Sequence, residues 1–250
     1  MNIAVALRQG YPAVDETPAR EPIRPPLKWA GGKRWQLPHI EPFWKTQENR
    51  RLVEPFCGGL AVTTGLMPKR ALLNDINPHV INFYNWLKCG LSISFEMAND
   101  ETEYYQARVR FNELLKNDKA KTAEAAGLFY YLNRTGYNGL CRFNSKGGFN
   151  VPFGSYTNIN YKSDFSEFKT GFANWTFTNT DFEKIPLDGS DFVYADPPYD
   201  VEFTNQATAR IVKLYRSLKF TLKFRNAPRR ISCTGDRTPA PEVLAVRNLK

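Results

Sequence analysis

The stretch Arg51-Leu52-Val53-Glu54-Pro55-Phe56-Cys57-Gly58-Gly59 decides the fold class of this chain. Its first four residues form a short apolar run typical of a buried strand, and the proline and paired glycines then break that strand. A helical stretch follows to Leu66. A second apolar run, 71–75, ends in an acid before the helical pattern of 80–88. Strand, glycine-rich turn, helix, strand and acid in this order predict the first half of a doubly wound α/β sheet.

The middle of the chain differs in character from its two flanks. Residues 101–132 have a helical pattern, and residues 133–160 consist of short segments rich in Gly and Asn. Strand character returns at 175–178 and 192–195. We therefore predict a flexible lead-in over residues 1–26, an α/β domain over 27–90 and 170–250, and an insertion into that domain over 91–169.

Composition excludes several classes of protein. Hydrophobic residues make up 42% of the 250 residues and aromatics 14%, enough for a core, so a wholly disordered chain is excluded. No apolar run approaches the ~18 residues of a membrane span, and no secretory signal pattern is present. Four distant cysteines and two histidines lack metal-binding spacing. The sequence thus predicts a cytoplasmic protein with reduced thiols and no metal.

The positive charge is concentrated late in the chain. The formal net charge is +9, from 34 Lys and Arg against 25 Asp and Glu. Residues 201–250 hold 11 of the basic residues and 3 of the acidic ones. A basic balance favours a polyanionic partner, with a solvated basic face as the alternative.

The stretch Phe192 to Tyr199, FVYADPPY, carries the most informative chemistry. It puts a carboxylate, a rigid turn and an aromatic ring at the carboxyl end of a strand, where open α/β sheets bind ligands. Pro197 and Pro198 remove two backbone donors, which leaves nearby carbonyls as acceptors. The Asp196 carboxylate and a carbonyl can accept two N–H bonds from a planar amine, while Tyr199 stacks on its face. An ordinary Pro-Pro turn beside a surface Asp is the alternative.

The glycine-rich turn after the first strand indicates a nucleoside-containing cofactor when it is combined with Asp75. Gly58 and Gly59 let a ligand approach the backbone just before a helix N-terminus. Asp75 follows the next strand, where an acid can accept both hydroxyls of a ribose. A Gly-Gly pair that serves only as a turn is the alternative.

Two further motifs offer binding groups. The segment LKWAGGK, 27–33, combines a flat indole with two lysines, but it lacks the first glycine of a phosphate loop, and Arg34 replaces Ser or Thr. We therefore exclude a nucleoside triphosphate site there. The segment 133–154, NRTGYNGLCRFNSKGGFNVPFG, spaces basic residues among aromatics and asparagines, which can grip phosphate, read bases and wedge between them. Aromatics that fill a small subdomain core are the alternative.

Taken in order, LKWAGGK, EPFCGG, NDIN (74–77), YLNRTGYNGLCRFN…FNVPFG and DPPY resemble the DNA adenine methylase family, the D12 class of bacterial and phage DNA adenine N6-methyltransferases. A late RRIS…EVLA segment extends the match to about Leu249. The resemblance implies a Rossmann-like α/β sheet that binds S-adenosylmethionine, with a mainly helical target-recognition insertion. It implies methyl transfer to N6 of a flipped adenine in double-stranded DNA by a monomer; the family's best-known target is GATC.

The resemblance also implies three sets of site residues. The catalytic set is Asp196, Pro197, Pro198 and Tyr199. The cofactor set is Trp29, Lys33, Glu54, Pro55, Phe56, Gly58, Gly59, Asp75, Asp181 and Asp196. The DNA set is Lys28, Arg134, Tyr137, Asn138, Leu140, Arg142 and Pro152, whereas Ser155 stands where some members carry a basic residue.

The chain departs from the family pattern directly after the DPPY segment. In the family a loop, a helix and a strand usually follow the position of Thr204, but here Asn205 comes next. The absence of these residues, about thirty, would leave an unpaired sheet edge beside the catalytic strand. An internal deletion in the gene product and an omitted stretch both explain the gap.

The gap and the chemistry of the site leave two functional alternatives. One is an inactive DNA-binding remnant, and the other is an N-methyltransferase that acts on RNA or on a protein glutamine. No PD…ExK arrangement indicates a metal-dependent nuclease.

Overall fold

The computed structural model describes residues 21–197, 212–227 and 240–247. The strands are β1 (Leu52–Glu54), β2 (Ala71–Asn74), β3 (Trp175–Thr178), β4 (Phe192–Val193), β5 (Thr221–Ala227) and β6 (Ala240–Val246). The α-helices are α1 (Leu37–Lys45), α2 (Thr63–Leu66), α3 (Pro78–Cys89), α4 (Glu101–Lys116), α5 (Ala123–Thr135) and α6 (Ser166–Gly171), and residues 212–217 are helical as well. Short 3-10 turns cover Arg34–Gln36, Tyr137–Gly139 and Phe182–Lys184.

Four parallel strands form the sheet, in the order β3-β2-β1-β4. Leu52 of β1 lies opposite Ala71 of β2 on one side and Phe192 of β4 on the other. Every residue of β1 and β2 is buried, as expected of central parallel strands covered by helices. The structure thereby confirms the predicted α/β sheet.

Strand β4 lies at the edge of this sheet. Its register partners are in β1, and within the described ranges no strand pairs with its other side. Val193 is 45% exposed. The β5–β6 pair forms a separate antiparallel sheet. The junction of Thr204 and Asn205 lies outside the described residues, so the unpaired edge that the sequence gap predicts stays a prediction.

The helices of the sheet and of the insertion begin at residues whose side chains cap them. The side chain of Asn77 accepts a hydrogen bond from the His79 amide at the start of α3, and Pro78 occupies the first turn. Asp100 caps α4 and Thr122 caps α5 in the same way. These caps lie in the sequence itself, which is why the helical patterns were predictable. Helix α1 was not predicted, because Pro38 and Pro42 interrupt its pattern.

A single core joins the sheet and the insertion. It includes Leu52 of β1, Phe83 of α3, Phe111 of α4 and Phe129 of α5. The Phe83 ring stacks on Tyr130 of α5 with centroids 5.7 Å apart. Full burial of each such ring contributes about 2–3 kcal/mol, so the mainly helical insertion is held against α3 by the same apolar packing that holds the sheet.

Packing begins before the predicted boundary at Leu27. Ile23 is only 8% exposed, and its amide donates to the Thr64 carbonyl at 2.9 Å. Prolines on both sides of this isoleucine make the segment resemble a loop, and a single buried side chain produces no periodic pattern that would indicate packing. Of the predicted lead-in, residues 21–26 therefore pack against the sheet domain, whereas residues 1–20 lie outside the described part.

Candidate active site

A cavity of about 380 Å³ opens at the carboxyl ends of β1, β2 and β4. Three carboxylates line it: Glu54 at the end of β1, Asp75 just after β2 and Asp196 just after β4. Because β1 lies between β2 and β4, strand order alone brings these residues together. This is the edge at which open α/β sheets bind ligands.

Asp196 forms an ion pair across the cavity with Lys33. The Lys33 Nζ lies 3.1 Å from Asp196 Oδ2 and also donates to the Gly31 carbonyl at 3.1 Å. Lys33 is 6% exposed, so the pair is largely shielded from solvent. The lysine balances the charge of the aspartate and fixes the orientation of its carboxylate.

Glu54 is a buried acid with an unused oxygen. It is 3% exposed, and its Oε1 has no hydrogen-bond partner among the described residues. Burial raises the pKa of Glu54 to about 8, and the nearby charge of Asp196 adds to this shift. Glu54 is therefore protonated at neutral pH, and its orphaned oxygen is suited to a donor group of a ligand.

Asp75 is fixed by two backbone amides. Its Oδ2 accepts from the Gly58 amide and its Oδ1 from the Asn77 amide, both at 2.9 Å. Burial raises the pKa of Asp75, whereas these two hydrogen bonds oppose that shift. Each carboxylate oxygen retains a second lone pair, which can accept a ligand hydroxyl.

The paired glycines make room for Trp29. A Cβ at Gly58 would lie 2.5 Å from Trp29 Nε1, and one at Gly59 would lie 2.5 Å from Trp29 Cβ. Gly58 also has a φ of +42°. The sequence predicts that these glycines let a ligand approach the backbone closely. In the structure the Trp29 indole makes that close approach, and its ring forms one wall of the cavity.

Most of the predicted cofactor set lines this cavity, and two members do not. The lining members are Trp29, Lys33, Glu54, Phe56, Gly58, Gly59, Asp75 and Asp196. Pro55 instead uses its carbonyl to accept from Asn74 Nδ2 at 3.1 Å. Asp181 is exposed and caps a 3-10 turn by accepting from the Glu183 amide at 2.9 Å. Sequence reasoning assigned no role to Ile76 or Tyr194, which also line the cavity.

The predicted catalytic residues are only partly within the described chain. Asp196 and Pro197 both line the cavity. Pro198 and Tyr199 lie outside the described residues. Their roles stay predictions.

The predicted DNA-contacting residues converge beyond the end of α5. Tyr137 and Asn138 form a 3-10 turn in which Asn138 has a φ of +52° and Tyr137 is 45% exposed. The Tyr137 amide donates to the Pro152 carbonyl at 2.9 Å, and the Leu140 amide donates to the Tyr137 carbonyl at 3.1 Å. The turn therefore presents an aromatic side chain beside exposed Pro152.

The basic members of that set contact the same region. Lys28 Nζ donates to the Arg134 carbonyl at 2.7 Å and lies 3.5 Å from the centroid of the Tyr156 ring. Burial lowers the pKa of Lys28 to about 8, and Arg134 adds to this shift. Arg142 is exposed and donates to Asn150 Oδ1 at 2.9 Å. Sequence reasoning missed Tyr156, which no spacing rule connects to Lys28.

Within the described ranges, no helix is both long and apolar enough to cross a membrane. Nor does any cluster of three or more His, Cys, Asp or Glu side chains in those ranges suit a metal ion.

The chain is similar in sequence to proteins named as DNA adenine methylases. It is 37% identical over 192 residues to the retron Ec67 DNA adenine methylase of Escherichia coli, which covers 73% of this chain and 66% of that protein. It is 39% identical over 187 residues to the DNA adenine methylase of Vibrio cholerae, which covers 69% of this chain and 64% of that protein. The chain thus spans just under two thirds of the length of these relatives.

A third relative aligns with more of this chain than the first two do. The DNA N-6-adenine-methyltransferase of Escherichia phage P1 is 30% identical over 277 residues, which covers 92% of this chain and 36% of that protein. The aligned stretch is longer than the 250 residues of this chain. The phage protein therefore contains residues within the matched stretch that have no counterpart here.

The family comparison covers most of the chain. The model of the D12 class N6 adenine-specific DNA methyltransferases matches residues 29–236. This range begins at Trp29 in the cavity wall and includes both the insertion and the Asp196 segment. The chain therefore belongs to the family of D12 class N6 adenine-specific DNA methyltransferases.

Proposed function

We propose that this protein transfers a methyl group from S-adenosylmethionine to N6 of an adenine that is flipped out of double-stranded DNA. The observation that carries the proposal is the position of Asp196. Its carboxylate, paired with Lys33, stands at the edge of a cavity lined by Glu54 and Asp75. An acceptor for an amine and a site for a methyl donor are thus adjacent.

The residues of the cavity fit the proposed cofactor. S-adenosylmethionine would supply a sulfonium methyl group to the lone pair of an amine, with the S–CH3 bond breaking and the thioether S-adenosylhomocysteine as the leaving group. Asp75 has lone pairs for the ribose hydroxyls, and the orphaned oxygen of Glu54 suits the amino group of the methionine part. Phe56 and the 73% exposed Ile76 offer apolar surface for the adenine ring.

The chain itself supplies orientation and hydrogen-bond acceptors. Asp196 and the Pro197 carbonyl would accept the two N6 hydrogens of the target adenine, which frees the nitrogen lone pair from ring conjugation. Tyr199 would stack on the extruded base. Alignment of the amine with the methyl group then supplies much of the acceleration, since a well-oriented reaction behaves as an intramolecular one.

The insertion would hold the DNA. Tyr137 is an exposed ring on a tight turn, suited to filling the space that a flipped base leaves. Asn138 lies beside it, and asparagine can pair with adenine. Lys28, Arg134 and Arg142 would contact phosphates or guanine, and GATC is the first target to test.

One observation favours the inactive remnant as a second candidate function. Strand β4 carries Asp196, yet no described strand covers its outer side, and Val193 is exposed there. An edge strand that is paired on one side is held less firmly than a central one. The remnant would bind DNA without modifying it.

A methylation assay separates these candidates. Purified protein is incubated with methyl-labelled S-adenosylmethionine and a duplex that contains GATC, and N6-methyladenine is then quantified by mass spectrometry after nuclease digestion. Transfer to the GATC duplex and not to a GTTC control supports the proposal. DNA retention without methyl incorporation supports the remnant. Label in RNA or in a glutamine peptide, with none in DNA, contradicts the proposed substrate.

A further inference from the structure

Backbone pairing of β4 stops short of Asp196. The ladder with β1 contains two residue pairs, and the Tyr194 amide donates to the Val53 carbonyl at 2.9 Å. Asp196 comes two residues later, and Pro197 after it has no N–H to donate. Side-chain contacts of this segment therefore help to set the position of the Asp196 carboxylate.

Burial alternates along this segment as it does in a strand with one covered face. Phe192 is buried and Tyr194 and Asp196 are half-buried, whereas Val193 and Ala195 are exposed. Side chains two residues apart in an extended segment point to the same side. Tyr194 and Asp196 thus both face inward, toward the segment that precedes α1.

The 3-10 turn before α1 contacts both of these side chains. The Tyr194 hydroxyl donates to Gln36 Oε1 at 3.0 Å, and Lys33 pairs with Asp196 at 3.1 Å. The Gln36 amide donates to the Lys33 carbonyl at 2.8 Å, which closes the turn. Side chains three residues apart in a 3-10 turn eclipse each other, so Lys33 and Gln36 project on the same side. Their spacing therefore matches that of Asp196 and Tyr194.

The turn is itself anchored to the core. Gln36 is 6% exposed, and Leu37, which begins α1, is 8% exposed. A Cβ at Gly65 of α2 would clash with Leu37 Cδ1, so the two elements are in close contact. The turn can hold the segment after β4 because packing holds the turn.

We propose that Gln36 and Tyr194 form a positioning pair that fixes Asp196 for methyl transfer. The effect that we expect this pair to have on the methylation rate rests on the proposed function. Neither residue needs to touch the methyl donor or the adenine to act in this way. The pair fastens the carboxyl end of an edge strand that, among the described residues, is bonded to a neighbour on one side only.

The rate test compares variants of Gln36 and Tyr194 with a matched variant of a second tyrosine, Tyr131. Tyr194→Phe and Gln36→Met each remove the hydrogen bond, and we expect each to lower the single-turnover methylation rate about tenfold, the equivalent of one ordinary hydrogen bond. The Kd for DNA should change less than threefold in both variants, and so should the Kd for S-adenosylmethionine in Gln36→Met, because Gln36 does not line the cavity. The double variant should be no slower than either single variant, because both remove the same bond. Gln36→Glu keeps the acceptor and should retain most of the rate.

Tyr131→Phe is the matched control. It removes a tyrosine hydrogen bond of similar length, to the Ala98 carbonyl at 2.7 Å, far from the cavity. It should lower the melting temperature by as much as Tyr194→Phe does and leave the rate unchanged. A Tyr194→Phe variant that loses stability but keeps its rate per folded molecule would overturn the inference.

Amide hydrogen exchange tests the pair without relying on activity. Tyr194→Phe should increase exchange of the residue-194 amide, which is hydrogen-bonded to the Val53 carbonyl, several-fold, whereas Tyr131→Phe should leave it unchanged. Unchanged exchange in Tyr194→Phe contradicts the positioning pair even if the wild-type protein is active. If the wild-type protein transfers no methyl group, the proposed function fails, and the exchange result still decides whether the pair holds Asp196.

Discussion

Lys28 and Asn133 are hydrogen-bonded to each other in both directions. The Lys28 amide donates to Asn133 Oδ1 at 2.8 Å, and Asn133 Nδ2 donates to the Lys28 carbonyl at 2.9 Å. The same Nδ2 also donates to the Gly139 carbonyl at 3.2 Å. One buried amide thus holds the segment that carries Trp29 against the turn proposed to contact DNA.

Replacement of Asn133 should destabilise the protein. Asn133 is 1% exposed, so Asn133→Ala leaves one amide and two carbonyls without their partner in a dry site. We expect the free energy of unfolding to fall by about 2–4 kcal/mol, measured by urea denaturation. Alanine at the exposed Asn158 should change it by less than about 0.5 kcal/mol. Equal effects of the two substitutions would contradict the bridging role of Asn133.

Replacement of Asp196 should remove methyl transfer while the fold remains. Asp196→Asn keeps the shape of the side chain but makes it a poorer acceptor for an amine, so we expect the single-turnover rate to fall about 10²–10⁴-fold. The far-ultraviolet circular dichroism spectrum and DNA binding should be retained. Asp188→Asn, in the exposed loop before β4, is the control and should leave the rate unchanged. Undiminished turnover in Asp196→Asn sinks the assignment.

Alanine at Gly58 should disrupt the cavity wall. The added Cβ would meet the Trp29 indole at 2.5 Å, and the φ of +42° disfavours any side chain. We expect a loss of stability of about 2–4 kcal/mol and weaker binding of S-adenosylmethionine in calorimetry. Gly189→Ala is the matched control, because no atom lies within 4 Å of the Cβ it would add. Normal cofactor affinity in Gly58→Ala would place the cofactor elsewhere.

The buried Glu54 should make stability fall as pH rises. Below its ordinary pKa of 4.5 the carboxyl is protonated in both the folded and the unfolded states. Between there and about 8, the unfolded state ionises while burial keeps the folded state protonated, so unfolding becomes easier with each unit of pH. Above about 8 the full penalty is present.

Glu54→Gln should remove this dependence. Its free energy of unfolding relative to the wild type should rise by about 2–4 kcal/mol between pH 5 and pH 8. Thermal melts of both proteins at several pH values measure the difference. The exposed Glu96→Gln should follow the wild-type profile. A constant difference between Glu54→Gln and the wild type across this range would show that Glu54 ionises normally.

Local patterns in the sequence were sufficient for β1 to β4 and for α2 to α5, but not for α1, α6, β5 or β6. The apolar runs that became β1 to β4, the glycine-rich turn and the capped helices α3 to α5 depend on neighbours a few residues away. The same reasoning placed Asp75 and Asp196 at strand ends, since an acid that directly follows a buried apolar run lies at the carboxyl edge of the sheet. Motif order was likewise sufficient to indicate the family.

The tertiary structure decided which of those residues meet. Lys33 pairs with Asp196, and Lys28 bonds with Asn133 more than a hundred residues away, because the order of strands and the packing of the insertion bring them together. Asp181 caps its own turn, which no local pattern distinguishes, and its contact with the cofactor stays a prediction. Spacing along the chain was enough to predict the four strands of the parallel sheet and the chemical groups at their ends. Only packing decided that the paired glycines accommodate Trp29, because contacts between distant segments depend on shape and strand order rather than on spacing.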